Sequence, residues 1–274
     1  MSLDLPGRLL LVGAGNMGGA LLKGWLAGGL PADRVAVQDP SPPPTMAAML
    51  AAAGIACGPG VPKLAEPPAV MLLAVKPQIM DDVLAATAPL AGPSTLVVSV
   101  AAGRTIASIA RHFAPGTAIV RTIPNTPASV GRGITVAVAN AQVTPAARTL
   151  SQRLLEAVGE VGWVEDERLI DSATAVSGSG PAYLFLMAEC LAAAGRAEGL
   201  PAELAMRLAR ATIAGAGEML RVDPTEAAEL RRNVTSPNGT TQAALDVLMA
   251  EDGLAPLMAK AVAAARRRAE ELAN

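Results

Sequence analysis

A glycine pattern near the start of the chain narrows the possible folds sharply. Gly13-Ala14-Gly15-Asn16-Met17-Gly18 directly follows the apolar run Arg8–Val12 (RLLLV). It opens Asn16–Ala27, whose apolar residues have helical spacing and which stops at Gly28-Gly29. A short strand with no polar face needs cover on both sides, so it belongs inside a parallel sheet. The glycines then have separate duties. Gly13 allows the tight turn, Gly15 lets backbone approach a pyrophosphate, and Gly18 lets the helix pack on the strand. The phosphates would rest on the free N–H groups of the helix start, around Asn16 and Met17. An unliganded turn is the plainer alternative; the strand-to-helix context favours dinucleotide binding.

The following residues repeat the strand–helix alternation. Strands are expected at Val35–Gln38, Ala69–Val75, Thr95–Val100, Ala118–Thr122, Ile134–Ala139 and Glu160–Val164. Helices are expected at Met46–Ala53, Ile79–Leu90, Thr105–Phe113 and Pro145–Val158. Such alternation with right-handed crossovers makes a doubly wound, mainly parallel sheet. After Glu165 no strand pattern recurs. Helical patterns fill Arg168–Ala175, Ala182–Glu198, Ala202–Arg221, Thr225–Arg232, Thr241–Met249 and Ala255–Leu272. The expected architecture is an α/β Rossmann-like domain over residues 1–165 and an all-α domain over residues 166–274. The helical faces are rich in Ala, Gly and Met and carry more apolar surface than so few elements can bury. A homodimer or higher homo-oligomer through this half is expected.

Composition removes whole classes of function. Charged residues are 17% of the chain, below the roughly 25% usual for soluble domains. With net charge −2, nothing calls for nucleic acid, and the Arg266-Arg267-Arg268 run reads as a solvated helix end. No apolar stretch reaches the ~20 residues of a membrane span, and Met1–Gly7 lacks the pattern of a secretory leader. A cytoplasmic protein without a membrane partner is expected. Two cysteines, Cys57 and Cys190, exclude a disulfide scaffold, and a single histidine, His112, excludes a histidine-rich metal site.

Several strand ends carry candidate cofactor residues, because ligands bind at the carboxyl ends of such strands. Asp39 follows the second strand, where an acid accepts from the ribose 2′-OH of NAD; the alternative is that it caps the Pro40 turn. Ala74-Val75-Lys76-Pro77 ends the third strand and would bring backbone and Lys76 beside ribose or phosphate. Asn125 lies in Pro124-Asn125-Thr126-Pro127, a loop stiffened by two prolines that would flank the nicotinamide. Ser177-Gly178-Ser179-Gly180-Pro181 is a small-residue loop entering a helix.

Val234–Thr241 (VTSPNGTT) is the most informative string of the helical half. Asn238-Gly239 makes a turn. Thr240 and Thr241 open a helix with hydroxyls and free N–H groups at its positive end, and Ser236 adds a hydroxyl across the turn. A small carboxylate suits such a place. Capping alone would need only one of these hydroxyls.

Reduction of a ketone needs a proton donor, usually His, Lys or Tyr. His112 sits away from the strand carboxyl ends, and Tyr183 is the sole tyrosine. A cyclic imine fits better. Once protonated on nitrogen it is already electrophilic, and the protein need only hold its carboxylate, position the ring and offer one hydroxyl.

The chain resembles the pyrroline-5-carboxylate reductase family. The blocks that carry the resemblance are VGAGNMGGALLKG (Val12–Gly24), LLAVKPQIM (Leu72–Met80), LVVSVAAG (Leu96–Gly103), RTIPNTPASVGRGIT (Arg121–Thr135), AVSGSGPAYLF (Ala175–Phe185) and VTSPNGTTQAAL (Val234–Leu245). The resemblance implies hydride transfer from NADPH or NADH to 1-pyrroline-5-carboxylate, giving L-proline. It implies that Ser236, Gly239 and the backbone at Thr240 and Thr241 hold the substrate carboxylate. The Thr241 hydroxyl would face the ring nitrogen. Gly13–Gly18, Ala74–Pro77, Asn125 and Asn233 would contact the cofactor. Two residues depart from the family pattern. Asp39 stands where Ser or Thr is common, which puts NADP preference in doubt. Asn238 replaces a glycine, and Asn tolerates the left-handed turn.

Two other readings remain open at this point. A β-hydroxyacid dehydrogenase-like enzyme would need a catalytic lysine on the interdomain helix, and no lysine lies between Lys76 and Lys260. A non-catalytic NAD(P)-sensing protein would keep the glycine loop but need not keep the Ser-Pro-Asn-Gly-Thr-Thr turn.

Overall fold

The computed structural model describes residues 4–58, 60 and 62–273. Residues 1–3 of the segment tested for a leader lie outside the described residues. The chain forms two compact units. The first runs to Gly178 and includes the C-terminal residues from Arg266; the second is Ser179–Ala265.

The first unit holds a seven-stranded sheet in the order β2-β1-β3-β4-β5-β6-β7. Its strands are β1 Leu9–Val12, β2 Val35–Gln38, β3 Val70–Leu73, β4 Leu96–Ser99, β5 Ala118–Pro124, β6 Gly133–Ala139 and β7 Gly159–Trp163. The order places β2 and β3 on either side of β1, the switch point of a doubly wound sheet. Five strands are parallel, as expected. β6 runs antiparallel to β5, and β7 is parallel to β6.

The strands alternate their side chains between two cores. Leu9, Leu11, Val70, Leu72, Leu96, Val98 and Val120 face one side. There they meet α1 (Asn16–Ala27), α2 (Pro44–Ala52) and α5 (Pro145–Glu156) through Leu21, Leu22, Trp25, Leu50, Leu154 and Leu155. Leu10, Val12, Met71, Leu73, Val97 and Ile119 face the other side, against Met80 and Leu84 of α3 (Met80–Thr87) and Ile109 of α4 (Ile106–Ala110). Both faces of the sheet are therefore dry, which is why these strands read as unbroken apolar runs. The Trp25 indole N–H donates to the Leu154 carbonyl at 2.7 Å and ties α1 to α5.

The expected helix at Arg168–Ala175 is shorter and then changes form. It is α6 (Leu169–Ala173), followed directly by a π-helical turn, Thr174–Gly178. Both remain with the sheet unit, which accounts for the boundary between compact units falling at Gly178.

The second unit contains α7 (Gly180–Ala197), α8 (Ala202–Val222), α9 (Ala227–Asn233) and α10 (Thr240–Leu248); α11 (Leu254–Ala273) begins in it. α7 and α8 pack closely through Ala192, Ala205 and Ala209. Small side chains permit this approach. Leu184, Phe185, Leu186, Met219, Leu220 and Val247 are exposed on the single chain. A helix that is apolar on several sides is normally covered by something else. Among the described residues no helix is long and apolar enough to cross a membrane.

Candidate active site

The sheet unit gathers one group of the expected site residues at its carboxyl edge. Gly13 continues the β1 ladder, its N–H donating to Gln38 at 2.8 Å, and then turns with φ 93°. A Cβ there would come 2.7 Å from the Ala74 carbonyl oxygen. A Cβ at Gly18 would collide with the Gly13 carbonyl. Both glycines are thus demanded by protein packing. Gly15 is different. It has an ordinary φ of −70°, and a Cβ there would meet nothing within 4 Å. Nothing in the protein requires glycine at that position, so the open space before it fits close approach by a ligand. The α1 N-terminus has no side-chain cap, which leaves its first N–H groups for a diphosphate. Asn16 is exposed and Met17 half-buried on this first turn. A groove of about 450 Å³ borders it, lined by Gly15, Asn16, Lys23, Met46 and Thr126 among others.

An alanine at position 15 is expected to leave thermal stability within about 2 °C of wild type. It should weaken coenzyme binding about tenfold, the effect of ~1.4 kcal/mol. Calorimetry and fluorescence titration check both halves. Unchanged coenzyme affinity would contradict the ligand-facing role.

Asp39 takes the turn-capping role and adds a second backbone contact. Oδ2 accepts the Ala14 N–H at 2.6 Å, and Oδ1 accepts the Ser41 N–H at 2.8 Å. It caps the turn after β2 and also ties that turn to the glycine loop. A carboxylate has about four lone-pair sites, so two remain for a ribose hydroxyl. Cys57 lies against the same residue, its thiol donating to the Asp39 carbonyl at 3.4 Å. Burial pushes this thiol up, and the negative charge of Asp39 adds to the effect. Cys57 is therefore a poor nucleophile at neutral pH.

Ala74 and Val75 lie beside Gly13, with Lys76 exposed at the start of the turn that Pro77 begins. Asn125 is nearly buried after β5. Its amide oxygen accepts the Ile134 N–H at 2.9 Å, and its Nδ2 donates to the Ser177 carbonyl at 3.2 Å. His112 pairs with Asp81 at 2.8 Å on the outer surface. The Asp81 carboxyl is held below its usual range by hydrogen bonds from Arg104 first and then His112.

Sequence reasoning passed over Arg121. It is 3% exposed on β5, with Nη1 2.8 Å from Glu167 and Nη2 3.5 Å from Asp171. The signal was present as a lone charged residue inside the apolar run AIVRTIP.

The second unit contains the other group. Asn233 ends α9, and the chain turns through Ser236 to Gly239, whose N–H donates to the Ser236 carbonyl at 3.1 Å. Asn238 has φ 58°, and among the described residues it is the non-glycine residue in the left-handed region. The turn therefore survives the replacement of glycine, as expected. Gly239 caps α10 without any side-chain hydrogen bond. A Cβ at Gly239 would strike the Ser236 hydroxyl. Thr240 and Thr241 form the first helical positions, with the α10 N–H groups ahead of them. The hydroxyls of Ser236, Thr240 and Thr241 are thus not spent on capping. A glycine-capped helix start leaves its first N–H groups without a side-chain partner, and such a start can take an anion.

The chain is similar to known proteins over nearly its whole length. The profile for pyrroline-5-carboxylate reductase dimerisation matches residues 167–272. The profile for NADP oxidoreductase, coenzyme F420-dependent, matches residues 8–103. The pyrroline-5-carboxylate reductase of Pseudomonas aeruginosa is 42% identical over 270 residues, covering 97% of both chains. The solved structure of a pyrroline-5-carboxylate reductase from Coxiella burnetii superposes with TM-score 0.90 at 34% identity, covering 98% of this chain and 99% of that one. A Plasmodium falciparum pyrroline carboxylate reductase, solved with NADP bound, gives TM-score 0.81 at 28% identity over the full length of both. With a glycine loop on the sheet, a glycine-capped helix start in the second unit and a relative 42% identical over 97% of both chains, the chain belongs to the pyrroline-5-carboxylate reductase family.

Proposed function

We propose that this chain reduces 1-pyrroline-5-carboxylate to L-proline, using NADH or NADPH, as the last step of proline formation. The observation that carries the reading is the start of α10, where a glycine cap leaves three hydroxyls and the first helical N–H groups unspent. Family membership supplies the reaction. When bound, the reduced nicotinamide supplies a hydride.

The residues divide the remaining work. Gly13 and Gly18 shape the loop, and Gly15 with the amides at Asn16 and Met17 holds the diphosphate. Asp39 anchors the glycine loop and faces the ribose. Ala74, Val75, Lys76 and Pro77 line the crevice beside it. The loop at Asn125 borders the nicotinamide, and Asn233 contacts the coenzyme. Ser236, Gly239 and the amides of Thr240 and Thr241 hold the substrate carboxylate on the positive end of α10. The Thr241 hydroxyl holds the proton at the ring nitrogen. The protonated C=N carbon takes the hydride, the π pair moves onto nitrogen, and proline results. No strong acid is needed, because the substrate nitrogen carries its own proton. The β-hydroxyacid alternative would need a catalytic lysine on the interdomain helix, and no lysine lies between Lys76 and Lys260. His112 is held on the surface by Asp81.

We also propose a functional division into a dinucleotide-binding part, residues 1–165, and a substrate-binding and dimerisation part, residues 166–274. The dimerisation profile over residues 167–272 supports it. The exposed Leu184, Phe185 and Leu186 of α7 support a homodimer formed through these helices. Size-exclusion with light scattering is expected to give at least twice the chain mass; a clean monomer would contradict it. A reducing, cytoplasmic setting goes with this reading, supported by the free thiols of Cys57 and Cys190.

Deuterium tracing tests the reaction itself. Coenzyme deuterated at the transferred position should place one deuterium on the ring CH₂ of proline next to nitrogen. Proline without deuterium, or no proline, would contradict the proposed chemistry.

A further inference from the structure

Three alternate residues at the end of β5 do something that the reaction above leaves unused. Arg121 and Ile123 stand two residues apart on one face of β5, and Asn125 follows in extended backbone just beyond the strand. They are buried, at 3, 6 and 9% exposure. The segment that runs from Glu167 through α6 to the π-turn lies against them. Arg121 grips its start through Glu167 and Asp171, and Glu167 also accepts the Ile106 N–H at 2.8 Å. Ile123 packs with Ile170 at its middle. Asn125 grips its end at the Ser177 carbonyl.

That carbonyl has a specific need. In a continuing α-helix it would accept from the N–H four residues on. That residue is Pro181, which has no N–H. The Asn125 amide supplies the missing donor at 3.2 Å, and its oxygen is already taken by Ile134. Both functions of the side chain are therefore engaged inside the sheet unit.

We propose that Asn125 is a positioning residue for hydride transfer: it substitutes for the N–H that Pro181 lacks and so locks the π-turn to the loop Pro124–Pro127 at the carboxyl edge of the sheet. This rests on the reductase reading. The loop borders the place where the nicotinamide end of a dinucleotide lies in such folds, and a small misplacement there is costly to turnover. The adenosine and diphosphate grips, on β1 and β2, do not depend on it.

The test uses the full chain with Asn125→Ala and Asn125→Asp. The aspartate variant keeps the acceptor for Ile134 but sets an acceptor against the Ser177 carbonyl, so it loses the brace without losing volume. Hydrogen–deuterium exchange without coenzyme is expected to quicken at Thr174–Gly178 in both variants and to stay unchanged at Gly13–Gly18. The turnover number should fall about fivefold to twentyfold, with the coenzyme dissociation constant within about twofold of wild type. An unchanged exchange rate with coenzyme binding weakened tenfold would make Asn125 a direct ligand and overturn the proposal. Wild-type exchange and turnover in Asn125→Asp would overturn it too. If Asn125→Ala does not fold, the isosteric aspartate variant decides alone. Wild-type protein that fails to reduce the imine acid would sink the reductase reading, while the exchange measurement would still judge the brace.

Discussion

Replacing Thr241 by alanine is expected to lower turnover by roughly tenfold to a thousandfold, overlapping the lower part of the hundredfold to ten-thousandfold that a full proton-transfer group contributes, because here the hydroxyl only holds a proton already on nitrogen. Thr241 is half-buried at the second position of α10, and α10 takes its cap from the Gly239 backbone, not from the threonine. The substitution therefore removes the hydroxyl without removing a cap, and alanine is a better helix former than threonine. Stability should hold or rise slightly while turnover falls. With the substrate carboxylate held, as proposed, by Ser236 and the backbone amides, its KM should change less than kcat. Turnover of the folded variant at the wild-type rate would remove Thr241 from the chemistry.

Asp39→Ser is expected to raise the NADPH-to-NADH ratio of kcat/KM by about tenfold to a hundredfold. The reason is charge. A 2′-phosphate carries about −1.5 to −2 at neutral pH, and like charges set together cost several kcal/mol where 1.4 kcal/mol is tenfold. The structure adds a second effect. The carboxylate also holds the Ala14 and Ser41 N–H groups at 2.6 and 2.8 Å. One short hydroxyl cannot reach both, so kcat/KM with NADH should fall even as the ratio shifts. A ratio that stays put while both coenzymes lose efficiency would mean that Asp39 serves only the loop.

The strands of the sheet were legible because each is buried on both faces, and no polar residue interrupts Leu9–Val12 or Val70–Leu73. The glycine loop was legible for a similar reason: Gly13 and Gly18 sit where a Cβ meets backbone. The antiparallel course of β6 was not read from residue pattern, since period-two alternation carries no direction. It follows from the connection Asn125–Arg132, which is too short for a parallel crossover. The π-turn was also hidden. One extra residue in a helical turn leaves apolar spacing almost unchanged, and Ser177-Gly178-Ser179-Gly180 reads as loop. At Asp39 the residue pattern allows a ribose acceptor or a turn cap; the structure shows the cap and the Ala14 contact, and two acceptor sites of the carboxylate remain. The Val234–Thr241 turn was the clearest of all, because its hydroxyls exceed what capping requires.

The proposed function stands on hydride transfer from a reduced nicotinamide to a cyclic imine acid. Steady-state oxidation of NADH and of NADPH by the purified protein, with 1-pyrroline-5-carboxylate as acceptor, tests it most directly. Substrate-dependent oxidation of at least one coenzyme, with proline formed in equal amount, is the expected result. Oxidation of neither, by folded protein that binds coenzyme, would contradict it.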